Sequence, residues 1–126
     1  MQTTYSADWP SSPGKYRKPA PSAVAADLRT VLEEIVARVF DIELELMRLP
    51  TRGRAKVAMA RQVAMYLAHV TCGLTLTEAG ELFCRDRTTV AHACQVIEER
   101  REDQEFDRAL QLIENVTRVL LYTSAR

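Results

Sequence analysis

Apolar residues recur at three- and four-residue steps along most of the chain after position 21, which is the spacing of one face of an α-helix. The pattern predicts a long helix from Ala23 to about Phe40 with Ser22 as its cap, a second helix through Arg61 that Gly73 ends, and a last helix from about Gln104 to Tyr122. Their predicted inner stripes are Val24, Leu28, Val31, Leu32, Ile35 and Val39 in the first, Val57, Ala60, Val63, Ala64, Leu67 and Val70 in the second, and Phe106, Leu110, Ile113, Val116, Leu120 and Leu121 in the last.

Two further helices are predicted between Gly73 and Gln104. Thr75-Leu-Thr-Glu78 has the form of a capping box, so a short helix is expected from about Leu76 to Phe83. Its buried side is formed by Leu76, Ala79, Leu82 and Phe83. After a tight turn, Asp86 is placed to cap the next helix, whose inner face is Val90, Cys94 and Ile97. Two helices joined by a turn of three or four residues predict a helix-turn-helix.

The segment from Asp41 to Met47 alternates like a β-strand. Because no second strand is available to pair with it, a short helix is predicted there instead. The fold class is therefore all-α, with about five to six helices.

Side chains suited to DNA cluster at the start of the helix that follows Asp86. They are Arg85, Arg87, Thr88, Thr89 and His92. Arginine can donate two hydrogen bonds to guanine, and threonine offers a hydroxyl to a base or phosphate and a methyl group to thymine. The free N–H groups of a helix start also attract phosphate.

Three sequence blocks carry a resemblance to a known family. They read RQVAMYLA from Arg61, LTEAG from Leu76 and RDRTTVAHACQVI from Arg85. In this order and with these gaps they resemble the C-terminal DNA-binding domain of the bacterial replication initiator DnaA, whose pattern is RQ-A-YL, then L-E-IG, then F-G-RDHTTV-HA-KI. The resemblance implies a DnaA-type helix-turn-helix domain over residues 22–126.

The resemblance also implies roles for individual residues. Arg61 and Gln62 are expected to hold the phosphate backbone at the start of their helix. The positions that contact bases and phosphates in the family are occupied here by Arg85, Asp86, Thr88 and Thr89. His92 falls on the second histidine of the motif, where DNA contact and a partly structural role both stay open.

The chain departs from the family pattern at several positions. Arg87 replaces the histidine of RDHTT, so a preference for guanine or phosphate and a changed target site are expected. Cys84 replaces a glycine in the turn, and Gln95-Val96 stands where basic residues are common.

The segment from Leu49 to Lys56 is predicted to be a basic loop, since Pro50 and Gly53 oppose helix formation. Its position matches the family's loop that enters the neighbouring minor groove, which implies that Arg52 and Arg54 make that contact. Lys56 adds positive charge at its end. A purely solvated loop is the alternative.

Charge is segregated along the chain although the formal net charge is zero. From Arg48 to His92 there are seven Lys/Arg against three Asp/Glu, whereas Val24 to Met47 and Glu98 to Asp107 each hold six acids and two bases. Such a distribution is expected when one face meets phosphate and the others meet solvent or a partner. The modest basic excess predicts a shallow salt dependence.

The motifs of several protein classes are missing from the sequence. It has no glycine-rich phosphate loop, no G-x-S-x-G and no metal-ligand spacing around His69 or His92, so no enzyme activity, cofactor or metal is expected. The sequence has no motif of DnaA's nucleotide-binding motor, so that activity is not expected of it. No apolar run approaches membrane-spanning length and no signal peptide is recognisable, so a cytoplasmic, nucleoid-associated protein is expected. The three cysteines are expected to be reduced and mostly buried.

Residues 1–21 are predicted to be a disordered, basic, Pro- and Ser-rich tail. The tail is either a solvated leader, a partner-docking segment, or an arm that reaches DNA through Lys15, Arg17 and Lys18. The final helix either packs on the first helix or, if its stripe is wider than the domain can cover, forms a dimer surface. A monomer or weak dimer is therefore expected.

Three functions are compatible with these patterns, and the first two take double-stranded DNA as partner. The first is a small transcription regulator whose tail or acidic surfaces contact RNA polymerase or another regulator. The second is a modulator of replication initiation that competes for the initiator's boxes. The third is a protein-interaction adaptor that has lost DNA affinity.

Overall fold

The computed structural model describes residues 23–48 and 55–124, and within these ranges all regular structure is helical. The described residues form α1 (Ala23–Phe40), α2 (Leu44–Met47), α3 (Ala55–Tyr66), α4 (Leu76–Phe83), α5 (Arg87–Arg100) and α6 (Gln104–Ser124), and a π-helical segment (Leu67–Thr71) follows α3 directly. The all-α prediction is confirmed, as is the short helix before Arg48. The predicted disorder of residues 1–21 lies outside the described residues.

Helix α3 lies at the centre of the fold and contacts α1, α2, α4 and α5. Helix α6 packs on α1 and on the π segment, which confirms that it closes the core against the first helix. At one end of this contact the Phe40 and Phe106 rings stack with their centroids 6.1 Å apart. The largest fully buried apolar side chains of the core are Leu32, Val36, Val63, Leu67, Val90, Ile97, Leu110 and Ile113.

The last turn of the second predicted helix is wider than an α-helix. The Cys72 N–H donates to the Leu67 carbonyl at 2.8 Å, five residues back, which is the π-helical pattern. Gly73 ends the turn with φ 81°, as its position predicted. Because the wider turn rotates the helix face, Val70 is 46% exposed and its assignment to the inner stripe was wrong.

The inner face of α1 is shifted from the predicted stripe. Val39 is 38% exposed, whereas Val36 and Ala37 are buried. Glu33, an acidic residue of α1, is only 2% exposed. Its carboxylate pairs with Arg29 of the same helix and with Arg48, which follows α2, so both partners compensate the buried charge.

The predicted inner stripe of α6 is buried only in its first half. Phe106, Leu110 and Ile113 belong to the core, whereas Val116 is 39% and Leu120 42% exposed. The apolar stripe of α6 therefore extends beyond the part of the helix that the rest of the domain covers.

The three cysteines are free thiols but differ in exposure. Cys72 and Cys94 are half-buried, and burial raises the pKa of each thiol to about 11. Cys84 is exposed, contrary to the expectation of mostly buried thiols. Within the described ranges no helix combines the length and apolarity needed to cross a membrane, and no group of three His, Cys, Asp or Glu side chains could hold a metal ion.

Candidate nucleic-acid interface

The first helix of the helix-turn-helix, α4, starts at the predicted capping box. The Glu78 N–H donates to the Thr75 hydroxyl at 3.0 Å, and the Thr75 N–H donates to the Glu78 carboxylate at 2.9 Å. These reciprocal bonds satisfy two donors that a helix start leaves free. Since both bonds span only three residues, the local sequence is enough to define where α4 begins.

The turn between α4 and α5 is held by a close backbone approach at Gly80. The Arg85 N–H donates to the Gly80 carbonyl at 2.8 Å, and a Cβ atom on Gly80 would lie 2.6 Å from the Arg85 carbonyl oxygen. Only glycine fits there without moving the turn. Cys84 adopts the left-handed conformation with φ 59°, at the position where the family pattern has glycine.

Asp86 occupies the N-cap position of α5, as predicted, but its side chain makes no capping hydrogen bond. Its backbone carbonyl accepts from the N–H groups of Thr89 at 3.0 Å and Val90 at 3.2 Å. The predicted capping role of the carboxylate is therefore wrong in this conformation. The carboxylate is instead exposed at the start of α5, where it can contact a bound molecule.

The start of α5 presents one continuous exposed surface. Val90 and Ala93 are almost completely buried and anchor the helix on its inner side. The exposed residues, which we call the recognition surface, are Arg85, Asp86, Arg87, Thr88, Thr89 and His92. His92 follows Thr88 and Thr89 by four and three residues and therefore lies on their face of the helix. The structure thus brings these six predicted site residues together.

Arg61 does not lie at the start of its helix, because α3 begins at Ala55. Its guanidinium donates to the backbone carbonyls of Met47 at 3.0 Å and Leu46 at 2.9 Å, which ties α3 to the end of α2. Burial, together with the nearby positive charge of Arg85, lowers the Arg61 pKa from its ordinary value. Arg61 and Arg85 line one shallow cavity at the edge of the recognition surface.

The other predicted site residues have different surroundings. Gln62 is half-buried on α3, and Lys56 is exposed in the first turn of α3. The loop prediction is therefore wrong for Ala55 and Lys56, which are helical. Arg52 and Arg54 lie outside the described residues.

Two arginines surround Glu33 and connect α1 to other segments of the chain. The sequence analysis did not predict this arrangement. Glu33 accepts from Arg29 at 3.0 Å and from Arg48 at 2.7 Å. Arg29 in turn lies over the Phe83 ring, 5.5 Å from its centroid, and so connects α1 to α4. The four-residue spacing of Arg29 and Glu33 is typical of an ion pair within one helix. Arg48 is 15 residues from Glu33, and such a separation does not predict a contact.

A second, partly buried network holds the far end of α5. Tyr66, only 1% exposed, donates to the Glu98 carboxylate at 2.8 Å and accepts from the Arg101 guanidinium at 2.9 Å. Burial and the hydrogen bond to Glu98 raise the pKa of Tyr66 to about 12. Burial alone would lower the Arg101 pKa, but hydrogen bonds to Asp107, Glu114 and Tyr66 raise it above its ordinary value.

Comparison with known proteins places this architecture in one family. The family described as "Bacterial dnaA protein helix-turn-helix" matches residues 30–97, from within α1 to the last buried residue of α5. The crystal structure of a DNA replication initiation factor is similar to this chain, with a TM-score of 0.64 and 28% identity over 75% of this chain and 29% of that one.

Curated relatives align with the same part of the chain. The chromosomal replication initiator protein DnaA of Caldanaerobacter subterraneus subsp. tengcongensis is 39% identical over 83 residues, 64% of this chain. The DnaA protein of Mycobacteroides abscessus is 39% identical over 75 residues, 60% of this chain. The aligned part covers only 18% and 15% of those proteins. With more than half of its length matched, the chain belongs to the family of bacterial DnaA helix-turn-helix domains.

Proposed function

We propose that this protein binds double-stranded DNA sequence-specifically, with the recognition surface of α5 in the major groove, and acts as a small transcription regulator. The observation that carries the proposal is the joint exposure of two arginines and two threonines at the helix start, above a buried Val90 and Ala93. A helix-turn-helix reads base edges with the N-terminal residues of its second helix. Family membership and the similarity to replication initiator proteins support the DNA-binding part of this proposal.

Within this proposal the residues of the recognition surface have different tasks. Arg87, the longest side chain of the first turn of α5, contacts guanine or phosphate. Thr88 and Thr89 contact bases and phosphates through their hydroxyls, and the exposed Asp86 carboxylate accepts from a cytosine amino group. His92, one turn further along, contacts the outer edge of the same site.

Arg61 and Gln62 are proposed to contact the phosphate backbone beside the groove, together with the exposed Lys56. Arg61 already donates to two carbonyl groups, so its contribution combines positive charge with support of the α2–α3 junction. Arg52 and Arg54 are proposed to enter the neighbouring minor groove, a role that rests on the resemblance alone.

A binding experiment with selected DNA tests the proposal. Sequences enriched from a random library by the full-length protein would be compared with unrelated duplexes across a salt series. Arg87→Ala should weaken binding to the selected site by about 1–3 kcal/mol and relax the preference at single positions. The control is Arg118→Ala on α6, which should leave binding unchanged. Absence of any salt-sensitive binding would contradict the proposal and favour a protein-interaction adaptor.

Arg61→Ala tests the backbone contacts. It should weaken binding to all sequences and reduce the salt slope by about one unit. If the salt slope stays constant while the free energy of unfolding falls, Arg61 is a structural residue of the α2–α3 junction. Equal losses on selected and unrelated DNA for Arg87→Ala would show that Arg87 contacts phosphate rather than a base.

The second candidate function is modulation of replication initiation by competition for the initiator's boxes, and it is favoured by the family to which the chain belongs. Arg87, in place of the family's histidine, separates the two candidates. A selected sequence that equals the initiator box favours competition, whereas a different sequence favours regulation at other promoters. Contacts with RNA polymerase or a second regulator, through the tail or the acidic surfaces, belong to the regulator proposal.

A further inference from the structure

The second half of α6 exposes a group of large apolar side chains. Leu112 is 57% exposed, Val116 39% and Val119 63%. Leu120 at 42% and Tyr122 at 71% border them. Such a concentration on one helix is unusual for a surface in contact with water.

The spacing of the exposed residues is that of a helix–helix seam. Leu112, Val116 and Val119 are separated by four and three residues, and Thr123 follows four residues later. Alternating steps of three and four place residues in one line along a helix and allow knobs-into-holes packing against a second helix. We call Leu112, Val116, Val119 and Thr123 the α6 seam.

Charged groups are kept away from this seam. Between Leu112 and Ser124 the only charged residues are Glu114 and Arg118. Glu114 is 6% exposed and is bonded to Arg101 on the opposite, core-facing side. Arg118 lies on another face, because successive residues are rotated by about 100° around the helix. Two copies of the seam could therefore meet without opposing like charges.

The seam lies beyond the residues that the family model matches, because that match ends at Ile97, before the start of α6.

We propose that the protein forms a homodimer in which the α6 seams of two copies pack antiparallel. Antiparallel packing sets the opposite ends of the two helix dipoles side by side, whereas parallel packing would bring both C-terminal ends together. A two-fold axis midway along the seam pairs Val116 with Val119 of the second copy and Leu112 with Thr123. The same surface then serves both copies, as a two-fold interface requires.

The available area fits a weak dimer. The five exposed apolar side chains can remove at most on the order of 500 Å² per copy from water, so that the total stays at about 1,000 Å², the lower limit of a specific interface. An interface at this limit is expected to be weak. The proposal does not depend on DNA binding.

Sedimentation analysis of the full-length protein without DNA tests the proposal. Wild-type protein should shift from monomer to dimer as its concentration rises through the micromolar range. Leu112→Glu and Val119→Glu should each weaken the dimer at least tenfold while the circular dichroism spectrum and melting temperature are retained, because both side chains are exposed. Leu46→Glu is the matched control, since Leu46 is 37% exposed on α2, and it should dimerise like wild type. Wild-type protein that stays monomeric at all concentrations would overturn the proposal, as would dimerisation that both α6 variants retain.

Disulfide trapping tests the orientation. In a Cys84→Ser background, a Val116→Cys chain mixed with a Val119→Cys chain should form a cross-linked heterodimer faster than either chain alone forms a homodimer. Cross-links that form fastest between two Val116→Cys chains would contradict the antiparallel arrangement.

Discussion

The start of α5 and the second half of α6 are both exposed helical surfaces, but their compositions are opposite. At the start of α5 the exposed residues are charged or carry hydroxyls, and Val90 is fully buried. In α6 the exposed residues include Leu112 and Val119, whereas the charged Glu114 is buried. The first surface suits a hydrated, negatively charged partner, and the second suits an apolar one. The kind of partner that an exposed helix can bind therefore depends on the chemistry of its exposed side chains, and not on exposure alone.

The two regions also differ in how they are held in place. The turn before α5 is held by backbone contacts at Gly80, within a few residues of sequence. Helix α6 is held by side chains that are distant in sequence, through the Arg101 network. An added side-chain atom should therefore destabilise the turn before α5. Removal of a charged group should destabilise the packing of α6.

Replacing Arg101 with methionine should have the largest effect. The Glu114 carboxylate, whose side chain is 8% exposed, would lose its cationic partner, so the free energy of unfolding should fall by about 2–4 kcal/mol. Urea denaturation followed by circular dichroism measures the change. Arg118→Met, on the exposed side of α6, is the control and should stay within about 0.5 kcal/mol of wild type. Equal stabilities of the two variants would contradict the structural role of the network.

Replacing Gly80 with alanine should have the next largest effect. The added Cβ would meet the Arg85 carbonyl oxygen at 2.6 Å, and the overpacking should lower the free energy of unfolding by about 1–3 kcal/mol. In NMR spectra the amide signals of residues 85–89 should move while those of α6 stay in place. For Gly73→Ala, where the added atom meets nothing within 4 Å, strain at φ 81° should destabilise the protein without moving the signals of the recognition surface. Unmoved signals in the Gly80→Ala variant would show that the turn tolerates the extra atom.

Alkaline pH should weaken the attachment of α5 to α3 through Tyr66. The pKa is about 12 in the folded protein against 10.0 ordinarily, so the contribution is complete below pH 10 and is lost as the pH rises towards 12. The loss should be about 1–2 kcal/mol, and it should be absent in a Tyr66→Phe variant. Denaturation at several pH values above 9 measures it, and identical pH profiles for the two proteins would contradict the expected titration.

Thiol reactivity should distinguish the exposed turn before α5 from the half-buried interior of the domain without changing stability. Cys84, exposed in the turn before α5, should be alkylated first at neutral pH. Cys72 and Cys94, half-buried with the pKa of each raised to about 11, should react at least about tenfold more slowly. Mass spectrometry after timed alkylation gives the order, with Cys84→Ser as the control. Comparable rates for all three thiols would show that the core opens readily around the π segment.

Much of the fold followed from local sequence, because the interactions concerned span only a few residues. The Thr75–Glu78 capping box and the position of Gly73 predicted where helices begin and end, and the structure agrees with both. The start of α5 at Arg87 was likewise predictable from Asp86 and the turn before it. In the candidate site, the arrangement of Arg85 to Thr89 on one exposed turn followed from the same local rules.

The remaining features could not be predicted from local patterns. The salt bridge of Glu33 joins residues 15 positions apart, and the Arg29 contact with the Leu82 carbonyl spans 53. Arg61, assigned to phosphate from its motif, donates to carbonyls of α2 because the packing of α2 on α3 brings them within reach.

The sequence by itself determined the helices, the capping box of α4 and the chemistry of the recognition surface, since a helix start depends on neighbours along the chain. Only the tertiary structure decided which charged residues are buried and which apolar residues remain exposed. The apolar stripe of α6 shows the difference: its periodicity is the same throughout, but the domain offers a packing partner only to its first half. Burial depends on what the rest of the chain places opposite a residue, and periodicity carries no information about that.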